Sequence, residues 1–256
     1  MRDNDLPLFD VLGRDLLVIH PVRRAVSLAM PFVCVIAFFV FAAYGWWAEA
    51  IGGTMLLTFL TYGSISHDLV HRTLRLPPTA NEGFLCAIEL VSLRSGHAYR
   101  LVHLHHHAQF PAADDLEGGA AAMTWWRALL DGLTLQPRLW VFAFRRRGGD
   151  RLCICGEALV VVVLLVASIV AVRWTIAPAL YAALTIAGSW LFPFITSFIP
   201  HDPKGKTALT QTRLFRGMVL SLVALEHFGQ MEAGSGLDEH NFAVQFVDTV
   251  MQEQGG

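Results

Sequence analysis

The sequence predicts an all-α, polytopic membrane protein: four transmembrane helices in two hairpins, under a cytoplasmic helical cap that carries a histidine site. Three observations predict it. Hydrophobic residues make up 54% of the chain and charged ones only 16%, against about 25% in an ordinary soluble domain. Four stretches hold no charged residue: Ala25 to Ala48, Ala50 to Ser66, Ala158 to Val172 and Trp174 to Pro200. The basic residues, finally, are segregated. Of 19 Lys and Arg, only Arg173 falls in a segment that would lie opposite the N-terminus.

A span takes roughly 20 apolar residues, with about 17 as the lower limit. The first and fourth stretches qualify outright. The second is marginal alone, and the third reaches length by taking in Leu152 to Glu157. The positive-inside rule puts both termini and the long central loop in the cytoplasm. No cleavable signal peptide is expected, because the first 24 residues carry acids and lack a short apolar core. The four cysteines have no framework or zinc-knuckle spacing and read as reduced. No nucleic-acid partner is expected.

The elements follow in order. Asp10 to His20 resembles a short interfacial helix closed by Pro21, with Arg23 and Arg24 at the headgroups, so residues 1–24 form a cytoplasmic interfacial segment. Span one ends in "YGWW", an aromatic anchor. "EAIGG" reads as the tight turn into span two, which returns at "SISHDLVHR". From Thr73 to Arg151 the chain is too polar to span. Within it, Asn81 to Ser95 has the spacing of a helix lying on the membrane surface. A second helix is expected from about Gly96 to Ala108, broken by "QFPAADDLEGG". Spans three and four turn around "RWT", and a last amphipathic helix is expected from about Gln211 to Phe228.

Histidines are costly at a bilayer edge, and here they are grouped. "HDLVH" puts His67 and His71 four residues apart, on one helix face. In "HLHHH", His103, His106 and His107 share a face, while His105 points elsewhere. His201 and His227 lie at comparable depth, beyond the fourth span. His20, alone at a boundary, reads as an interfacial polar residue. Imidazoles without thiolates suit Fe, Zn, Cu or Ni. A structural zinc closes with four ligands, so five to seven histidines are better used by two metals, whether iron or zinc. Asp68, Asp114, Asp115 and Asp202 stand where they could accept the second N–H of ligating rings. Arg145, Arg146, Arg147 and Arg151 form a basic cluster for an acidic electron carrier or for anionic headgroups of membrane lipids.

Taken together, "HDLVH", "HLHHH" read as HxxHH, and "FIPHDP" resemble the membrane fatty acid desaturase superfamily, which also contains carotenoid hydroxylases and ketolases. The likeness runs from about residue 54 to 232 and makes 25–232 a desaturase-like membrane domain. It implies a non-haem centre of two irons (Fe), dioxygen (O2) as oxidant, and electrons from a ferredoxin or cytochrome. The implied substrate is a long apolar lipid: a fatty acyl chain to be desaturated or hydroxylated, or a carotenoid ring. By this resemblance His67 and His71 form the first histidine box and His103, His106 and His107 the second. His201 matches the extra histidine after span four. The third box is the departure. In "LEHFGQMEAG", Leu225, Glu226, His227 and Glu232 fit, but Gln230, Ala233 and Gly234 stand where three histidines would be. Residues 233–256 make an acidic, atypical tail. Seven imidazoles then leave the second iron poorly held, and a catalytically inactive, lipid-binding relative is the contrasting expectation.

Overall fold

The computed structural model describes residues 19–109, 114–146 and 150–204. Among them every regular element is a helix. The first, α1 (Pro21–Ala43), opens on a proline at a position whose N–H needs no partner, and the His20 ring accepts from the Val22 N–H at 3.3 Å. Span one therefore begins at Pro21, with Arg23 and Arg24 in its first turn. The turn that follows is made at Tyr44–Trp46, where Gly45 adopts φ +75°. "EAIGG", expected to be that turn, lies inside α2 (Trp47–Leu60). Gly52 faces open space there, and a Cβ on Gly53 would sit in ordinary contact, 3.6 Å from the Cys34 carbonyl of α1.

Three helices are long and apolar enough to cross a bilayer: Pro21–Ala43, Arg151–Ala171 and Ala177–Phe198. Each is at most about one-third buried, so their apolar side chains face outward and need a non-aqueous solvent. The second expected span is shorter, because α2 has only 14 residues. It does not stop there. A π-helical turn, Thr61–Ile65, carries the same rod into α3 (Ser66–Val70).

Next comes α4 (Pro78–Val91), the helix expected on the membrane surface. It forms, but in the interior: no residue from Phe84 to Ser95 is exposed. Its apolar positions were read as facing lipid, whereas α1, α3, α5 and α7 cover them. The histidine helix α5 (Gly96–Gln109) follows as expected. Then come a 3-10 turn (Gly118–Ala122) and α6 (Trp125–Arg145), the latter absent from the sequence reading. The described residues end with α7 (Arg151–Ala171) and α8 (Ala177–Ser189), the second hairpin, after which a π turn (Pro193–Phe198) leads to His201. The helix expected at Gln211–Phe228 lies outside the described residues.

Three apolar cores lie among the described residues, the smallest around Ala98, Ala143 and Ile154. A second lies among the spans, around Phe38, Leu57 and Tyr181. The third joins cap to spans through Leu69, Leu85, Tyr99, Val102, Leu139 and Phe192. Buried polar contacts fix their relative height. Glu157 of α7 accepts from the Ser95 hydroxyl and meets His97 Nδ1 at 2.8 Å, and Tyr181 of α8 donates to the Val91 carbonyl at 2.5 Å. All four cysteines are free.

Candidate metal centre

Helix α3 reaches the site at a set angle because α4 holds it from behind. Asn81, fully buried, donates to the Leu69 carbonyl at 2.8 Å. The Ser66 hydroxyl, next to His67, donates to Glu89 at 2.5 Å, and Arg94 grips the same carboxylate with two bonds at 2.7 and 2.9 Å. A buried charge is tolerable when it is paired in this way. On the opposite side of α3, His67 and His71 meet the facing residues of α5.

The donor atoms of His67, His71, His103 and His107 lie within 4.8 Å of one another. The Nε2 atoms of His71, His103 and His107 form a triangle with every side 3.1 Å. A metal bound tetrahedrally to imidazoles at about 2.0–2.1 Å holds the nitrogens about 3.3 Å apart. The triangle is thus close to the size of a ligand face. Lone pairs brought this near repel, and a cation among them turns the conflict into coordination. His67 stands beside the three, its ring 4.5 Å from His71 and 4.9 Å from His103.

Charge favours the same use. Burial, reinforced by the neighbouring imidazoles, holds His71 and His103 well below the usual histidine range. They are neutral at pH 7 and keep the lone pair a metal needs.

His106 turns away from this group toward His201, at 5.2 Å between rings. Burial pulls its pKa down, but the Asp115 hydrogen bond and the carboxylates of Glu117 and Asp115 outweigh that and hold it up. His201, half-buried and facing His106, is lowered to about 4 by loss of solvent and by the His106 ring. Two neighbouring groups result: four histidines around one point, and a pair beside it.

Carboxylates orient the rings. His106 Nδ1 meets Asp115 at 2.7 Å, and the other oxygen of Asp115 accepts from the N–H groups of Glu117 and Gly118. His103 Nδ1 meets both oxygens of Glu117, at 2.9 and 3.0 Å. Each bond takes the Nδ1 proton and leaves Nε2 pointing at the site, the usual support of a ligating histidine. Burial raises Glu117 to about 7, and a cation close by would favour its carboxylate form.

The aspartates singled out in the sequence therefore divide. Asp115 holds His106. Asp68 approaches His67 Nδ1 only to 3.9 Å. Asp114, largely exposed, meets His105 at 3.3 Å, and Asp202 accepts from the Lys204 N–H at 3.0 Å. Glu117 was missed. The signal that could have found it is arithmetic: two inward-facing rings one turn apart on α5 need two acceptors, and "DDLEGG" offers a third acid. Arg146 is occupied with His105 at 2.9 Å and the Phe142 ring, and Arg151 donates to the Arg146 carbonyl, while Arg145 is exposed. Arg147 and His227 lie outside the described residues, as do Gln230, Ala233 and Gly234. Against the ring of His103 packs Tyr99, at 5.3 Å, and behind Tyr99 is a cavity the size of about one water, reached by Arg94, Ser95 and Phe192.

A family model described as fatty acid desaturase matches residues 44–232, a range that takes in all six histidines just placed. No curated protein matches the chain.

Proposed function

The chain belongs to the fatty acid desaturase family, and on that premise we propose that it is a membrane-bound, non-haem iron oxidoreductase that desaturates or hydroxylates a fatty acyl chain with O2. The observation that carries this reading is the 3.1 Å triangle of imidazole nitrogens from His71, His103 and His107. The donor set fits iron: imidazole is a good ligand for it, and no thiolate competes. His67, His71, His103 and His107 would hold one ion, and His106 and His201 with His227 would contribute to a second.

Iron bound there would supply the activation of dioxygen and the attack on an unactivated C–H bond. The protein's own part is to prepare the site. Asp115 and Glu117 keep the Nδ1 protons off the donor atoms, and the Glu89–Arg94 pair holds α3 in register. Electrons would come from a ferredoxin or cytochrome docking at the exposed basic residues near Arg145. We place both termini and the histidines on the cytoplasmic side, with 25–232 as the working domain, because the basic residues segregate there.

Gln230, Ala233 and Gly234, standing where three box histidines belong, favour a second reading in which the chain holds lipid and a partial metal site but turns over weakly or not at all. Iron content and product analysis separate the two. The unmodified chain should hold nearer one iron than two. Gln230→His, Ala233→His and Gly234→His together should raise this toward two and bring acyl turnover. A hydroxylated or oxidised carotenoid ring as product would move the chain to the ring hydroxylases. Turnover absent even with two irons bound would leave the lipid-binding reading.

A further inference from the structure

Glu157 is the one acid of α7, a helix long and apolar enough to cross a bilayer. A carboxylate in such a rod is costly, and where it persists its partner names its use. Here the bonds converge on the start of another helix. One oxygen of Glu157 accepts from the Ser95 hydroxyl and from the His97 N–H at 3.4 Å, and the other meets His97 Nδ1 at 2.8 Å. The Cys86 thiol of α4 stands beside the same carboxylate. Ser95 and His97 flank Gly96, where α5 begins, and Ser95 Oγ in turn accepts from the Ala98 N–H at 3.0 Å. The positive end of a helix favours an anion, yet the first turn of α5 has no acid of its own. Helix α7 supplies it.

What α5 carries makes this more than a fastening. His103 and His107 belong to the group of four and His106 to the pair beside it, so one rod places donors in both groups. A side-chain nitrogen lies about 6 Å from the helix axis. Turning α5 by about 5° therefore moves it by about 0.5 Å, the tolerance of a preorganised site. Two kinds of contact restrain α5 near its start. Gly96 sets the distance to α4, since a Cβ there would sit 2.9 Å from the Leu85 carbonyl oxygen. A glycine has no side chain to resist rotation, and the small apolar face of Ala98 resists separation more than a slight turn. Hydrogen bonds weaken steeply with angle, so three of them to one carboxylate resist the turn itself.

We propose that Glu157 is a positioning residue of the histidine centre: from a membrane rod it fixes the rotation of α5, and with it the places of His103, His106 and His107. Its effect on a bound metal rests on the reading of these histidines as ligands.

Two measurements on the full chain in nanodiscs test this, with Glu157→Ala, Glu157→Gln and Phe38→Leu. Phe38, fully buried in the core among the spans, is the control for lost stability alone. The first measurement reads the ring-nitrogen NMR signals of His103 and His107 in the metal-free protein, assigned by single histidine variants. Both signals should move in Glu157→Ala and stay in place in Phe38→Leu. The second is Co²⁺ affinity with the visible cobalt spectrum. Direct support of a ligand is worth about 10–100-fold, so Glu157→Ala, acting through a helix, should cost about tenfold and alter the cobalt bands. Glu157→Gln keeps an acceptor oxygen and should stay within about threefold of the unmodified chain, and Phe38→Leu within about twofold. Should Glu157→Ala not fold, Ser95→Ala removes one donor to the same carboxylate and should move signals and affinity in the same direction. Unmoved ring signals with unchanged affinity in Glu157→Ala, or equal changes in Phe38→Leu, would overturn the proposal. Ring signals that move in a chain binding no Co²⁺ would uphold the role of Glu157 and overturn the metal reading alone.

Discussion

Replacing Glu117 by alanine isolates the support of one donor from the donor itself. His103 Nδ1 faces both carboxylate oxygens, at 2.9 and 3.0 Å, and both side chains are only 6% exposed. Without the carboxylate, a buried N–H has no acceptor, and the ring can shift its proton to Nε2, where it blocks the lone pair. A lost support of this kind costs about 10–100-fold in metal affinity, or about 1.4–2.8 kcal/mol. An unsatisfied buried donor costs about 1–3 kcal/mol by itself, so two independent routes give the same range. The assay is Co²⁺ or anaerobic Fe²⁺ binding to purified protein against a calibrated chelator. Glu117→Gln, which keeps an acceptor oxygen, should retain most of the affinity. Asp202→Ala should change it less than about twofold, because that carboxylate caps the Lys204 N–H and touches no ring. Wild-type affinity in Glu117→Ala, or an equal loss in Asp202→Ala, would refute the reasoning.

His106→Ala should lower metal content per chain while His20→Ala leaves it unchanged, as measured by metal analysis, since His20 only caps α1. Gly132→Ala should lower the melting temperature in detergent by several degrees, because its Cβ would strike the Trp190 carbonyl and overpacking costs about 1–3 kcal/mol; an unchanged melting temperature would mean α6 is not held there. Stability should depend on pH through His97. Its hydrogen bond to Glu157 raises its pKa against burial, and Glu82, Arg100 and Asp150 are its other charged neighbours. A raised histidine contributes fully below its unfolded value, about 6.5, and the contribution is lost as pH rises through the higher folded one. Unfolding followed across this window should show the loss, and Glu157→Gln should remove the slope.

The sequence disclosed those features that depend on spacing along one helix. A spacing of four residues from His67 to His71, or from His103 to His107, puts side chains on one face whatever the surroundings. Uncharged length does the same for α1, α7 and α8. Features that depend on what lies across a gap stayed hidden. Nothing local distinguishes an apolar face turned to lipid from one turned to protein, and so Asn81 to Ser95 was placed on the surface although α4 is interior. Helix α6, by contrast, has a marked apolar–polar period, with Ala128, Gly132, Leu135, Leu139 and Ala143 on its buried face, and was legible past "DDLEGG" to a reading of periodicity alone. Glycines mislead as well. Gly52 and Gly53 suggest a turn, but the chain turns at Gly45, where φ is positive, and both lie within α2.

Both membrane rods that deliver histidines to the site end in a π turn, Thr61–Ile65 before His67 and Pro193–Phe198 before His201. Such a turn holds one residue more than the α-helical path it replaces. Because each residue of an α-helix advances the face by about 100°, the extra residue works as a phase shifter: everything beyond it is rotated by more than a quarter turn. The two clusters therefore depend on chain length modulo a turn as much as on which residues are histidine. Deleting one residue within 61–65 would leave every histidine in the sequence and every span long enough, yet swing His67 and His71 off the face that meets α5. Inheritance of this site is inheritance of a count. A gap of one in either segment disarms it as surely as the loss of a ligand.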